Sequence, residues 1–241
     1  MRLAIIAPTN QLWWCTKSDY HLCLARKILT EMKYASFYRA YDNTKHYMIM
    51  DNGAAEEGTL KPDELFRAAN LVHANELVVP DKINNYQATT QLAKDYAKDF
   101  NGSTIPLMVV PQGESWSEWL GCLELQLTYF KPKSIGISKY SPIDRAFMLG
   151  MIEARELHTE YEYHLLGIQR NPREVSHLAY TFPWVRGVDT GAMVAWGLKR
   201  HFIAEDRRHI ALNWNSPVPG LVEKSVIEAN IEQMKEWCNV S

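Results

Sequence analysis

Short apolar runs recur along this chain, each closed by polar, glycine or proline residues and followed by a longer stretch with helical periodicity. The runs are Leu3–Ala7, Tyr47–Met50, Glu76–Val79, Pro106–Val110, Ser134–Ile137, Tyr163–Leu166, Val185–Val188 and, more weakly patterned, His209–Leu212. Strands with one wet face alternate apolar and polar residues. Val78-Val79 and Leu107-Met108-Val109-Val110 do not, as expected of parallel strands covered on both faces. Helix candidates lie between the runs. Pro62–His73 has proline near its start and acidic residues in its first turn, and Gln87–Phe100, Glu114–Phe130, Ile143–His158 and Pro172–Tyr180 follow. Val222–Trp237 closes the chain as an amphipathic helix.

Eight strands alternating with helices predict an α/β fold, a closed (β/α)8 TIM-like barrel. An open doubly wound sheet would normally show fewer strands or a glycine-rich phosphate turn, and neither G-x-G-x-x-G nor a Walker motif is present. No linker-like stretch divides the chain, so residues 1–241 are read as a single barrel domain.

A hydrophobic content of 46% is ample for such a core, and 22% charged residues suffice to cover it. No apolar run has the length of a signal peptide or a membrane span, so the expected protein is soluble and cytoplasmic, with no membrane partner. Cys15, Cys23, Cys122 and Cys238 are scattered, without a Cys-x-x-Cys pair or zinc-spaced Cys/His cluster. They read as buried thiols, and no metal or cofactor is expected. The formal charge of −2 argues against a broadly basic nucleic-acid coat, while leaving room for a local basic groove.

Chemistry concentrates where the runs end. They lead into Asp51-Asn52-Gly53, Pro80-Asp81, Pro111-Gln112-Gly113, Gly136-Ile137-Ser138, Gly167-Ile168-Gln169 and Asp189-Thr190-Gly191. In a barrel these C-terminal ends converge on one face, where barrel enzymes place their sites. Glycines there let backbone N–H groups approach a ligand closely. Each member also has a structural reading. An Asp after a strand often caps the next helix, and Asp81 fits capping or a turn as well as ligand binding. Gln112-Gly113 and the turns at Asp51 and Asp189 fit simple turn chemistry. Complementary polar residues at consecutive strand ends favour a site.

At these residues the chain resembles the tRNA-guanine transglycosylases (queuine tRNA-ribosyltransferases), and more closely the 7-deazaguanine DNA transglycosylases of phages and bacterial genomic islands. The resemblance runs in chain order from about Met48 to Gly197. Met50-Asp51-Asn52-Gly53 stands where the family has Asp-Ser-Gly-Gly, and Leu77-Val78-Val79-Pro80-Asp81 at a strand ending in Phe-Asp. Val110-Pro111-Gln112-Gly113 resembles Val-Gln-Gly-Gly, and Ile135-Gly136-Ile137-Ser138 resembles Ile-Gly-Gly-Leu. His164-Leu165-Leu166-Gly167-Ile168 resembles Tyr-Leu-Met-Gly-Val, and Gly187-Val188-Asp189-Thr190 sits at the nucleophile strand.

The resemblance implies that Asp189 is the nucleophile at the sugar C1′ and Asp51 the general acid/base. It implies that Asp81 accepts hydrogen bonds from a guanine-type base. Gln112 and the Gly136 N–H would donate to its O6 side, with Gly113, Leu166 and Gly167 completing the base site. The co-substrate would be a 7-deazaguanine such as preQ0. There are departures: the family's stacking aromatic is Ala55 here, its stacking Met is Leu166, and its C-terminal zinc site and the segment carrying it are missing. The missing zinc element moves the expected substrate from tRNA to DNA.

Lys199-Arg200-His201 and Arg207-Arg208-His209 follow Asp189 and suit phosphate contacts; a solvated loop accounts for them equally well. Trp116, Trp119, Trp184 and Trp196 are candidates to stack or wedge, although Trp116 and Trp119 at helical spacing fit packing better. A barrel N-glycosidase with water as acceptor, a tRNA enzyme and a non-catalytic accessory subunit are the alternatives. The oligomeric state stays open.

Overall fold

A computed structural model describes residues 1–55, 58–169, 171–204 and 210–239. Eight parallel strands hydrogen-bond in sequence order and close into a barrel. They are β1 (Arg2–Ile5), β2 (Tyr20–Leu24), β3 (Tyr47–Asp51), β4 (Glu76–Val78), β5 (Leu107–Val109), β6 (Ser134–Ser138), β7 (Glu162–Leu166) and β8 (Val185–Thr190). The helices are α1 (Ala25–Thr30), α2 (Met32–Arg39), α3 (Pro62–Val72), α4 (Tyr86–Phe100), α5 (Trp116–Tyr129), α6 (Arg145–Ala154), α7 (Glu174–Thr181), α8 (Ala192–Gly197) and α9 (Leu221–Trp237). The expected (β/α)8 barrel is present.

One strand differs from expectation. Residues 210–212 lie in no strand, and His209 falls outside the described residues. The strand that completes the barrel is β2, Tyr-His-Leu-Cys-Leu, buried at every position. It passes directly into α1, with Leu24 as the boundary residue and no glycine or proline between, so it lacks the punctuation that marks the other strands.

Contacts group the chain into two compact units: Leu22–His164, and Met1–His21 together with the chain from Leu165 onward. In the first unit, Met48, Ile49, Met50, Leu77, Val78, Met108 and Val109 are buried without alternation. Successive strand residues point to opposite faces, so both faces of this sheet are covered. Helix α3 buries Leu65, Ala68, Ala69 and Val72, a stripe at three- and four-residue spacing. It starts at Pro62, and the Glu64 carboxylate accepts from the Lys61 N–H at 3.2 Å. At the N-terminal ends of the strands, fully buried Glu76 accepts from the Ser134 hydroxyl at 2.5 Å and the Tyr47 hydroxyl at 3.3 Å. Those bonds offset the desolvation of a buried carboxylate, and this end of a barrel serves stability.

In the second unit, β1 pairs with β8 so that Ala4 lies opposite Asp189. A Cβ on Gly187 would come within 2.6 Å of the Tyr20 ring, whose hydroxyl accepts from Arg186 Nε at 3.0 Å. Asn230, buried on α9, donates to the carbonyls of Met193 at 3.3 Å and His201 at 3.0 Å and accepts from the Ile203 N–H at 2.9 Å. One side chain thus ties α9 to α8 and the segment after it. All four cysteines are buried thiols. Among the described residues, no helix is long and apolar enough to cross a membrane.

Candidate active site

In the unit Leu22–His164 the sequence candidates gather around Asp81, which is 3% exposed. Its Oδ1 accepts from Asn52 Nδ2 at 2.6 Å and its Oδ2 from Gln112 Nε2 at 2.6 Å. Backbone groups set both amides. Asn52 Oδ1 accepts from the Ala54 N–H at 2.8 Å while its Nδ2 also donates to the Val79 carbonyl at 2.7 Å. Gln112 Oε1 accepts from the Asn84 N–H at 3.0 Å. With their oxygens taken, both amides must present NH2 groups to Asp81, so this carboxyl meets donors on both oxygens. Burial pushes the Asp81 carboxyl up to about 6, and the two amide hydrogen bonds hold it from rising further. A carboxylate offers about four acceptor positions, which leaves two for a ligand.

Helix capping is excluded for Asp81, because Asn85 caps α4 by accepting from the Ala88 N–H at 2.8 Å. Gln112 stands beside Asp81, and the bond its NH2 makes here is to Asp81, with one N–H remaining for a ligand. Gly113 has a packing role: a Cβ there would lie 2.7 Å from both Glu118 Cβ and the Trp119 nitrogen. Its bareness lets the first turn of α5 close against the strand end. Gly136 sits in the middle of β6. Burial pushes the Cys122 thiol, on α5 beside the Gln112 backbone, up to about 11, which keeps it protonated and poorly nucleophilic at neutral pH.

Asp51 is the last residue of β3 and only half buried. Its Oδ2 accepts from the Gly53 N–H at 3.0 Å, an Asx turn completed by Gly53 at φ +81°. The Asn52 carbonyl accepts from the Leu60 N–H at 3.0 Å, closing the loop after it.

In the other unit, Asp189 lies one residue inside the C-terminal end of β8 and is 9% exposed. Its Oδ1 accepts from the Gly167 N–H at 3.1 Å. Gly167 follows β7 with φ +70°, a conformation that swings its N–H toward Asp189 and that other residues enter only with strain. Leu166, the last residue of β7, is half buried. Lys199 and Arg200 are exposed just beyond α8, but Arg200 is engaged by Glu223: its Nε and terminal nitrogen lie 2.8 and 2.7 Å from the Glu223 Oε1. Arg207 and Arg208 lie outside the described residues.

Trp119 and Trp196 are core residues at 1% and 0% exposure, and the Trp116 ring stacks on Trp119 at 5.2 Å, which favours packing for these three. Asn52 is the residue the sequence reading passed over. Its signal was positional: it directly follows Asp51 at the end of β3, the strand paired with β4, which leads to Asp81. Among the described residues, no three His, Cys, Asp or Glu side chains form a group able to hold a metal ion. No family model and no curated protein sequence matches the chain.

Chemically, the Asp81 cluster is a buried acceptor of fixed orientation. It suits a ligand edge carrying adjacent N–H donors, such as the N1–H and exocyclic amine of guanine. Asp189 is a carboxylate held in one orientation by a backbone donor, as a nucleophile requires.

Proposed function

We propose that the protein exchanges guanine in DNA for a 7-deazaguanine base, preQ0 or a derivative, through a covalent aspartyl–sugar intermediate. The observation that carries this reading is the Asn52–Asp81–Gln112 cluster, which orients a buried carboxylate for a guanine-type donor edge. The Asp189 carboxylate attacks C1′ and the C1′–N9 bond breaks, while Asp51 donates a proton to the departing guanine. Asp51 then takes the N9 proton of the incoming base, N9 attacks C1′, and the Asp189 ester is released. The proton lost by Asp51 in the first half is regained in the second, so the exchange is neutral overall. A base inside a duplex has to be flipped out to reach such a site, so single-stranded or locally opened DNA is the expected substrate form.

The test is incubation of the purified protein with guanine-containing DNA and, separately, with unmodified tRNA, each with preQ0. The products are digested to nucleosides and analysed by mass spectrometry. The expected result is a modified deoxynucleoside from DNA alone, abolished by Asp189→Ala. Modification of tRNA alone would keep the chemistry and replace the polymer, and incorporation into neither would overturn the proposal.

A further inference from the structure

Helices α7 and α9 face each other across a cavity of about 440 Å³, away from the carboxylates described above. Arg173, Ser176 and His177 line it from the start and first turns of α7, Gln233 and Trp237 from α9, and Ala204 from the segment after α8. Arg173 and His177 are four residues apart, as are Gln233 and Trp237, so each pair shares one helix face. A guanidinium, an imidazole and a hydroxyl therefore stand opposite an indole and a carboxamide. The cavity is not a gap left by poor packing. Val175, Leu178 and Ala179 of α7 and Ile231 and Met234 of α9 are buried and supply the apolar core of these helices, while the cavity residues are exposed or half buried.

The polar groups keep capacity for a ligand. The Arg173 guanidinium donates to the Ala204 carbonyl, and a guanidinium has five donors. Gln233 Nε2 donates to Glu236 at 2.9 Å, which directs its amide oxygen elsewhere as an acceptor. A cationic wall with a hydroxyl suits a phosphate, and a half-buried indole one helix away suits a base stacked on its face.

We propose that this cavity binds a nucleotide unit, its phosphate held by Arg173, Ser176 and His177, its base stacked on Trp237 and its exocyclic amine donating to the Gln233 oxygen. A free mononucleotide and a nucleotide within a single DNA strand present the same chemistry, and the test separates them. Wild-type protein, Arg173→Ala and Trp237→Leu are titrated calorimetrically with dGMP, inorganic phosphate and a short oligo(dA), with thermal melts recorded for each. The wild type is also photocrosslinked to an azido-purine mononucleotide and the adduct mapped, a readout needing no variant. Each substitution should weaken dGMP binding about tenfold, while phosphate binds more weakly and ignores Trp237→Leu. The crosslink should fall on the α9 peptide containing Trp237. Parallel loss of oligo(dA) binding assigns the cavity to a DNA strand, and loss confined to dGMP assigns it to a free nucleotide. Crosslinks confined to other segments, or dGMP binding unchanged in both folded variants, would overturn the proposal. Binding is read without base exchange, so its outcome is independent of the exchange assay.

Discussion

Gly167 donates its backbone N–H to Asp189 Oδ1 at 3.1 Å, from a turn whose φ of +70° favours glycine. A carboxylate at a strand end is otherwise able to rotate. Here the turn after β7 fixes one oxygen of the proposed nucleophile, and the glycine is what permits the turn.

Replacing that glycine should therefore reach the chemistry through geometry. A left-handed conformation costs a residue with a Cβ about 1–2 kcal/mol, so in Gly167→Ala the turn shifts and the N–H moves off Asp189. The expected result is a fall in kcat for base exchange of about tenfold, with KM for the incoming base little changed. Steady-state kinetics of the two proteins measure this; an unchanged kcat would remove Gly167 from the positioning role.

On the proposed reading, Asp81 should set the acid side of the pH profile. As an acceptor for two ligand N–H groups it must be ionised, and burial has raised it to about 6. Base binding should rise as pH passes upward through about 6 and be lost below it, as read from KM against pH. The effect on stability has the opposite sense. Between about pH 4, near the ordinary carboxylate value, and pH 6 the folded protein holds this proton more tightly than the unfolded chain does. Its contribution to stability is therefore fully present below pH 4 and lost as pH rises through 6, which denaturant melts with wild type and Asp81→Leu can resolve.

The two amides hold that value down. Removing either hydrogen bond, with Asn52→Ala or Gln112→Ala, leaves burial less opposed, and the acid limb should move up by about one pH unit. Matching KM–pH profiles measure the shift. A profile that stays in place would mean these amides do not orient an ionised Asp81.

Tight helix contacts give a prediction confined to stability. A Cβ on Gly197 would meet Ile227 Cγ1 at 2.3 Å and the Ile227 Cα and nitrogen at 2.9 Å, and backbone cannot move aside cheaply. Gly197→Ala should cost about 1–3 kcal/mol in urea unfolding without altering the pH dependence of base binding.

The basic segment after α8 divides into unequal parts. Arg200 is already held by Glu223, whereas Lys199 is exposed. Lys199→Ala should reduce oligonucleotide affinity and lower the salt slope by about one, with Arg200→Ala having the smaller effect. Fluorescence anisotropy across a salt series compares them, and equal effects would argue that Arg200 leaves Glu223 to bind.

Much of the fold was legible because unbroken apolar runs such as Leu107–Val110 mark strands buried on both faces, and punctuation such as Pro80-Asp81 marks their ends. Strand β2 was not, because Tyr20–Leu24 carries a histidine at its second position and enters α1 without a turn. The strand-end carboxylates were legible as residue types in position. What Asp81 does with them was not, since its setting depends on Asn52 and Gln112, which lie 29 and 31 residues away in sequence. The engagement of Arg200 by Glu223 depends likewise on a partner 23 residues downstream, which charge runs in the sequence do not reveal.

The most direct test of the central claim is exchange of isotopically labelled guanine into single-stranded DNA, since guanine-for-guanine exchange does not depend on which 7-deazaguanine is the natural co-substrate. The account predicts label entering DNA with wild type and none with Asp189→Asn. Release of guanine to leave abasic sites, without incorporation, would contradict it and identify a hydrolase; incorporation that survives Asp189→Asn would contradict the assigned nucleophile.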